Sequence, residues 1–230
     1  MHNQIVEFNI KGTYPLAEKY FIQTSGIRTD SEKHRRMWKR AREIFEEIQD
    51  QIKLQAIISD YVPDDISGKN LTISGTVFSC NAFEQLSKKD IELVYIYFLT
   101  AGQWFTNSEQ VIDQLYSDIW GTSFVDAGRD KLRILLSDAE KNSSSDSFLS
   151  ESFGPGFYGM DLSQIGSFFK VLDAARLGIV LHKSGMMLPQ KTIAGFYFYM
   201  KKGSTLPDRD CENCIGNQTG CRFCRAGIHL

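Results

Sequence analysis

Two hydrophobic periods run through this chain, and the segments that carry them do not alternate in any regular order. Strand-like runs rich in β-branched or aromatic residues fall at 5–10, 54–58, 71–78, 91–99, 178–182 and 192–200. Apolar residues at helical spacing fall at 31–52, 108–136 and 163–175. A doubly wound parallel sheet requires strand and helix to take turns, so this order points to an α+β domain with a largely antiparallel sheet. The clearest helix is the 31–52 segment, where Met37, Ala41, Ile44, Ile48 and Ile52 share a face. Its basic residues, Arg35, Arg36, Lys39, Arg40 and Arg42, are followed at once by Glu43, Glu46 and Glu47, the pattern of a solvated face paired along the helix. Residues 1–30 read as a short strand followed by loop, 81–86 as a helical turn or two, 108–136 as two helices interrupted near Gly121, and 141–152 as a serine-rich loop. The last two strands flank a turn-rich SGMMLPQ. No internal repeat is evident.

Charge narrows the partners. Lys and Arg number 26 against 28 Asp and Glu, a net charge of -2, so no global positive field gathers nucleic acid or anionic lipid. The N-terminal residues lack the basic start and apolar core of a signal peptide, and the longest apolar runs are too short to span a bilayer. A cytoplasmic protein without a membrane partner is expected.

Most short motifs fail. Gly154, Gly156 and Gly159 spell G-x-G-x-x-G, but they follow a serine-rich loop instead of a strand, enclose Pro155, and lead to no immediate helix. There is no P-loop, G-x-S-x-G elbow or H-E-x-x-H, and the four histidines are scattered; His182, in an apolar strand, reads as a structural residue. The exception is the tail, where Cys211, Cys214, Cys221 and Cys224 form two C-x-x-C pairs able to aim four thiolates at one zinc ion or [4Fe-4S] cluster. Two disulfides are the other pairing that spacing allows. Cys80 stands alone in an apolar run and reads as a small buried hydrophobe.

From Phe153 onward, FGPGFYGMDLSQ, a helix, and then GIVLHKSGMMLPQKTIAGFYFY resemble the activation, or reactivation, domain of vitamin B12-dependent methionine synthase. The family pattern is approximately R-x-x-x-G-Y, helix, L-T-E-S-x-x-M-x-P-x-x-S-V-S-G-x-Y-F. Ser184, Met187, Pro189, Gly195, Tyr197 and Phe198 keep their places, Thr192 and Ile193 are close replacements, and Pro155-Gly156-Phe157 stands for Pro-Gly-Tyr. Thr100-Ala101-Gly102 before a helical stretch extends the resemblance to residues 70–200; the N-terminal third matches only loosely.

The resemblance implies a C-shaped α+β domain, here residues 1–206, with a twisted antiparallel sheet and flanking helices, followed by a metal-binding tail at 207–230. It implies binding of S-adenosylmethionine (AdoMet) and docking on a corrinoid-bearing protein whose cobalt has slipped to Co(II). The family's backbone contacts to AdoMet map to Gly156, Phe157 and Met186, and its acidic contact maps to Asp130. Its carboxylate-facing arginine falls on Ser152, which removes a charge-assisted contact. The chain has no D-x-H-x-x-G corrinoid-binding motif, so cobalamin would arrive on a partner. Two functions follow: a freestanding activator of a corrinoid methyltransferase, or a docking module that no longer binds AdoMet and uses zinc to brace its tail.

Overall fold

The computed structural model describes residues 1–28, 30–104, 106–140 and 146–204. In chain order they form β1 (Gln4–Glu7), α1 (Ile10–Ser25), α2 (Glu32–Ile48), β2 (Gln55–Tyr61), β3 (Asp65–Ser67), β4 (Asn70–Ile73), β5 (Thr76–Ser79), β6 (Ile91–Gly102), α3 (Val111–Glu140), β7 (Ser147–Leu149), α4 (Ile165–Val171), β8 (Val180–Leu181), β9 (Met187–Leu188) and β10 (Lys191–Lys201). The architecture is α+β: a curled antiparallel sheet of order β1-β2-β6-β10-β7 with flanking helices. A small β3-β4-β5 sheet and a β8-β9 hairpin complete it.

The two long strands β6 and β10 form the centre, paired from Lys191 opposite Gly102 to Met200 opposite Ile91. Both their faces are covered, so their sequences are apolar almost throughout, yet the two-residue period survives in the choice of aromatic. Tyr95, Tyr97, Tyr197 and Tyr199 face the layer of α1, α2 and α3. Phe98, Phe196 and Phe198 face the opposite layer, built from β4, β5 and α4.

Several readings of the sequence are corrected. The stretch after β1 is not loop but the 16-residue α1, capped by Asn9, whose side chain accepts the Gly12 N–H at 2.8 Å. Gly12 and Pro15 gave it the look of a turn. Burial of Ala17, Tyr20 and Phe21, with Phe21 stacked 4.2 Å from Trp120, outweighs the helix bond that Pro15 removes. Where 108–136 reads as two helices there is one continuous helix, α3, of 30 residues from Val111 to Glu140. Gly121 does not break it: a Cβ there would meet the Trp104 ring at 2.7 Å, so the glycine permits close packing. Finally, 71–78 is a hairpin and not one strand, turning at Ser74 and Gly75, both at positive φ, as a two-residue hairpin loop requires.

The basic face of α2 is paired as expected, Arg36 with Glu32 and Arg40 with Glu43. Arg40 also reaches across to α3, its Nε and Nη2 bonding both oxygens of the fully buried Asp113 at 2.8 and 2.5 Å. That bidentate contact joins the two helices. Cys80 is buried, its thiol 3.2 Å from the Tyr158 carbonyl, and burial raises its pKa. His182 is not in a covered strand; it is exposed at the mouth of the β8-β9 hairpin, where its Nδ1 lies 2.9 Å from the Ser184 hydroxyl.

Candidate ligand-binding site

The site opens where the 152–157 segment parts from the edge of β10. β7 pairs with β10 only from Tyr199 to Lys201, and Phe153 adds one bridge to Phe196. Next to that bridge a cavity of about 240 Å³ lies between the segment and residues 192–194 of β10. Two facing glycines set the approach: a Cβ on Gly154 would stand 2.5 Å from the Ala194 carbonyl, and one on Gly195 would stand 2.7 Å from the Phe153 carbonyl. The segment then turns sharply. Gly156 sits at φ +87°, and the Phe157 N–H donates to the Gly154 carbonyl at 2.9 Å.

Tyr97 of β6 brings a hydroxyl to the site, 2.6 Å from Ser152 Oγ. Its ring stacks on Tyr197 with centroids 5.1 Å apart. The Tyr197 hydroxyl in turn donates to the Arg129 carbonyl at 2.8 Å and so ties α3 to the sheet beside the cavity. Burial raises the pKa of both phenols, so they remain protonated donors at neutral pH.

Arg129 lines the cavity, and it is the charged side chain among the described residues that do so. Its Nη2 is 3.2 Å from Asp126 and its Nε is 4.0 Å from Asp130. Burial opposes its charge, but Asp126, then Tyr97 and Asp130, more than compensate, and its pKa is raised. Asp126 is itself raised, by burial first, with Arg129 pulling it down and Asp130 pushing it up. Asp130 accepts a 2.5 Å hydrogen bond from Tyr20 of α1. The arrangement can fix one cation at the wall of an otherwise hydroxyl-bearing and apolar pocket.

The structure places the sequence candidates unevenly. Phe157 and Ser152 line the cavity; Gly156 is in the turn beside them. The N–H groups of Gly156 and Phe157 are already used inside that turn, by the Met160 and Gly154 carbonyls. Asp130 lies next to Arg129 on α3, but the lining residue is Arg129. Met186 is half exposed at the hairpin turn, with its carbonyl taken by the His182 N–H at 2.8 Å, and Met187 is the methionine that reaches the cavity. Cys211, Cys214, Cys221 and Cys224 lie outside the described residues, among which there is no group of three or more His, Cys, Asp or Glu able to hold a metal. Arg129 and Tyr97 were missed. The signals were the D-A-G-R-D spacing on α3 and the tyrosines alternating through YIYFL.

No protein-family model and no curated protein matches the sequence. Among solved structures, the crystal structure of the MetH reactivation domain bound to AdoHcy superimposes on 89% of this chain and 80% of its own, with a TM-score of 0.68 at 12% identity. This chain has the fold of the MetH reactivation domain. The overlap is wider than the 70–200 span over which the sequences resemble one another, so it takes in part of the N-terminal third that matched only loosely. No helix among the described residues is long and apolar enough to cross a membrane.

Proposed function

We propose that this chain is a freestanding activator of a corrinoid methyltransferase system, which binds AdoMet at the edge of β10 and supports reductive methylation of Co(II) on a partner protein. The observation that carries the reading is a cavity on the 152–157 segment of a chain that shares the fold of a domain solved with AdoHcy bound. AdoMet, when bound, supplies the methyl group.

The residues of this chain serve binding and orientation. A volume of about 240 Å³ is below the ~300 Å³ at which pockets begin to enclose a drug-sized molecule, so the cavity takes one end of the ligand. The remainder lies along the rim, where Phe157 and Leu162 are exposed. Gly156 shapes the turn that presents Phe157, and Asp130 and Met186 flank the site. No lower ligand for cobalt is offered by the scattered histidines, so the cobalamin is the partner's. The four tail cysteines suit zinc or a [4Fe-4S] cluster by donor chemistry, the first as a brace and the second as an electron carrier.

One observation favours the alternative of a docking module without AdoMet: Ser152 is uncharged, and the neighbouring N–H groups are spent within their own turn. Calorimetric titration separates the two. AdoMet and AdoHcy should bind the wild type, more weakly after Phe157→Ala, and a cob(II)alamin-loaded partner should show its visible spectrum change only when chain, AdoMet and reductant are all present. Capture of the corrinoid protein without binding of either nucleoside would establish the docking module instead. Anaerobic purification with iron, sulfide and zinc analysis assigns the tail.

A further inference from the structure

We infer that Arg129 is the residue that holds the carboxylate of the bound ligand, so that the cavity selects molecules ending in an amino acid over the same molecules without that end. The inference rests on the reading of the cavity as a ligand site and says which part of the ligand enters it.

Three observations carry it. First, Ser152 is neutral and the other lining residues are apolar, glycine, proline or hydroxyl-bearing, so any charge-assisted contact in the cavity falls to Arg129. Second, its fork is not engaged bidentately. Arg40 uses Nε and Nη2 bidentately on Asp113, and Arg133 donates to the carbonyls of Ser150 and Leu149 at 3.0 and 3.3 Å. Arg129 has ion-pair contacts at 3.2 and 4.0 Å, but its guanidinium donates no hydrogen bond to a protein acceptor among the described residues. A guanidinium only 24% exposed, held by ion pairs but with no bidentate protein partner, is a good receptor for a planar carboxylate. Third, the position is fixed from both sides: the backbone carbonyl of Arg129 accepts from Tyr197, and Asp126 and Asp130 anchor the charge. The Tyr97–Ser152 hydroxyl pair lines the same cavity and offers a second donor to the carboxylate.

The test is a set of titrations on the full chain with AdoHcy, its decarboxylated analogue and 5′-methylthioadenosine, which lacks the whole amino-acid end. Wild type should prefer AdoHcy to both. Arg129→Gln should weaken AdoHcy about 10- to 100-fold, the range expected for losing a hydrogen bond to a charge, and leave methylthioadenosine unchanged. Arg129→Lys should fall between, since it keeps the charge and loses the fork. AdoHcy binding that is equal in wild type and Arg129→Gln overturns the inference and leaves the functional reading standing. If Arg129→Gln does not fold, the wild-type preference for AdoHcy over its decarboxylated analogue reads the same contact, and equal affinities overturn it. If the wild type binds no nucleoside at all, the functional reading fails, and L-methionine titrated by NMR decides this point alone. Shifts at Ser152 and Gly154 that vanish in Arg129→Gln support Arg129 as the carboxylate residue, and no shift in wild type rejects it.

Discussion

The two faces of the central sheet are made by the same strands with opposite aromatic choices. Against β4, β5 and α4, the phenylalanines Phe78, Phe98, Phe168 and Phe196 pack with rings edge-on or tilted, centroids between 4.7 and 6.1 Å. Nothing polar is needed there. Toward the helices, β6 and β10 present tyrosines, and the hydroxyls of Tyr97 and Tyr197 are each met, by Ser152 and by the Arg129 carbonyl. The difference shows that one hydroxyl per aromatic converts a packing face into a positioning face. The phenylalanine side supplies stability, and the tyrosine side spends some of it to place Arg129 and Ser152 at one cavity.

The largest effect should come from the dry face. Phe168 is fully buried and touches Phe78, Phe98 and Phe196, so Phe168→Ala should destabilise the chain by about 3–5 kcal/mol in urea unfolding. Ligand affinity per folded molecule should stay constant, because no ring of that cluster lines the cavity. A loss of affinity larger than the loss of folded protein would dissolve the distinction between the faces.

Next in size is the buried carboxylate of the helix layer. Asp113→Asn should cost about 2–3 kcal/mol, since it removes a charge-assisted bidentate bond between α2 and α3. Hydrogen bonding to Arg40 outweighs burial and, with Ser108, holds the Asp113 carboxyl below its ordinary range. The stabilisation is therefore complete above the unfolded carboxylate pKa and is lost as pH falls through the lower folded value. Wild type and Asp113→Asn should differ at pH 7 and converge in acid. Equal sensitivity to acid in both would remove the pair as the joint between the helices.

These contrasts also explain what could be read in advance. The α+β class, β6, β10 and α2 were legible because the two hydrophobic periods are properties of single segments. The course of α1 was not, because Gly12 and Pro15 signal a turn locally, and only Trp120, a hundred residues away, shows why helix prevails. Gly121 of α3 likewise looks like a break until Trp104 is seen against it. In the site, Ser152, Gly156 and Phe157 could be found because they share one segment with a recognisable order. Arg129 was missed, since it reaches the cavity from α3, and its D-A-G-R-D setting does not say by itself which segment it will face.

A smaller effect tests the positioning face itself. Tyr197→Phe keeps the ring stacked on Tyr97 and removes the bond to the Arg129 carbonyl, so it should cost about 1 kcal/mol. AdoHcy should bind several-fold more weakly while methylthioadenosine is unaffected. A stability loss with no change in ligand preference would make the tyrosine face as purely structural as its counterpart.

The smallest expected effect has the opposite sign. Asp126 is raised by burial first; Arg129 only partly restores it, and Asp130 raises it further. A carboxyl whose folded pKa lies above its unfolded value favours folding most below the unfolded pKa and progressively less as pH rises through the folded one. Wherever the carboxyl is ionised, its charge is held against its own desolvation. Asp126→Asn should remove that penalty and raise Tm by about 1–2 °C at pH 7, with the gain shrinking as pH falls. The same substitution removes the carboxylate that anchors the Arg129 guanidinium at 3.2 Å, so AdoHcy affinity should fall even as the protein becomes more stable. A variant less stable at pH 7 than wild type, or one with unchanged affinity, would mean that Asp126 is an ordinary ion pair of α3. A gain in stability joined to a loss of binding would show that the tyrosine face holds a charge in place at its own expense, something no residue of the phenylalanine face is asked to do.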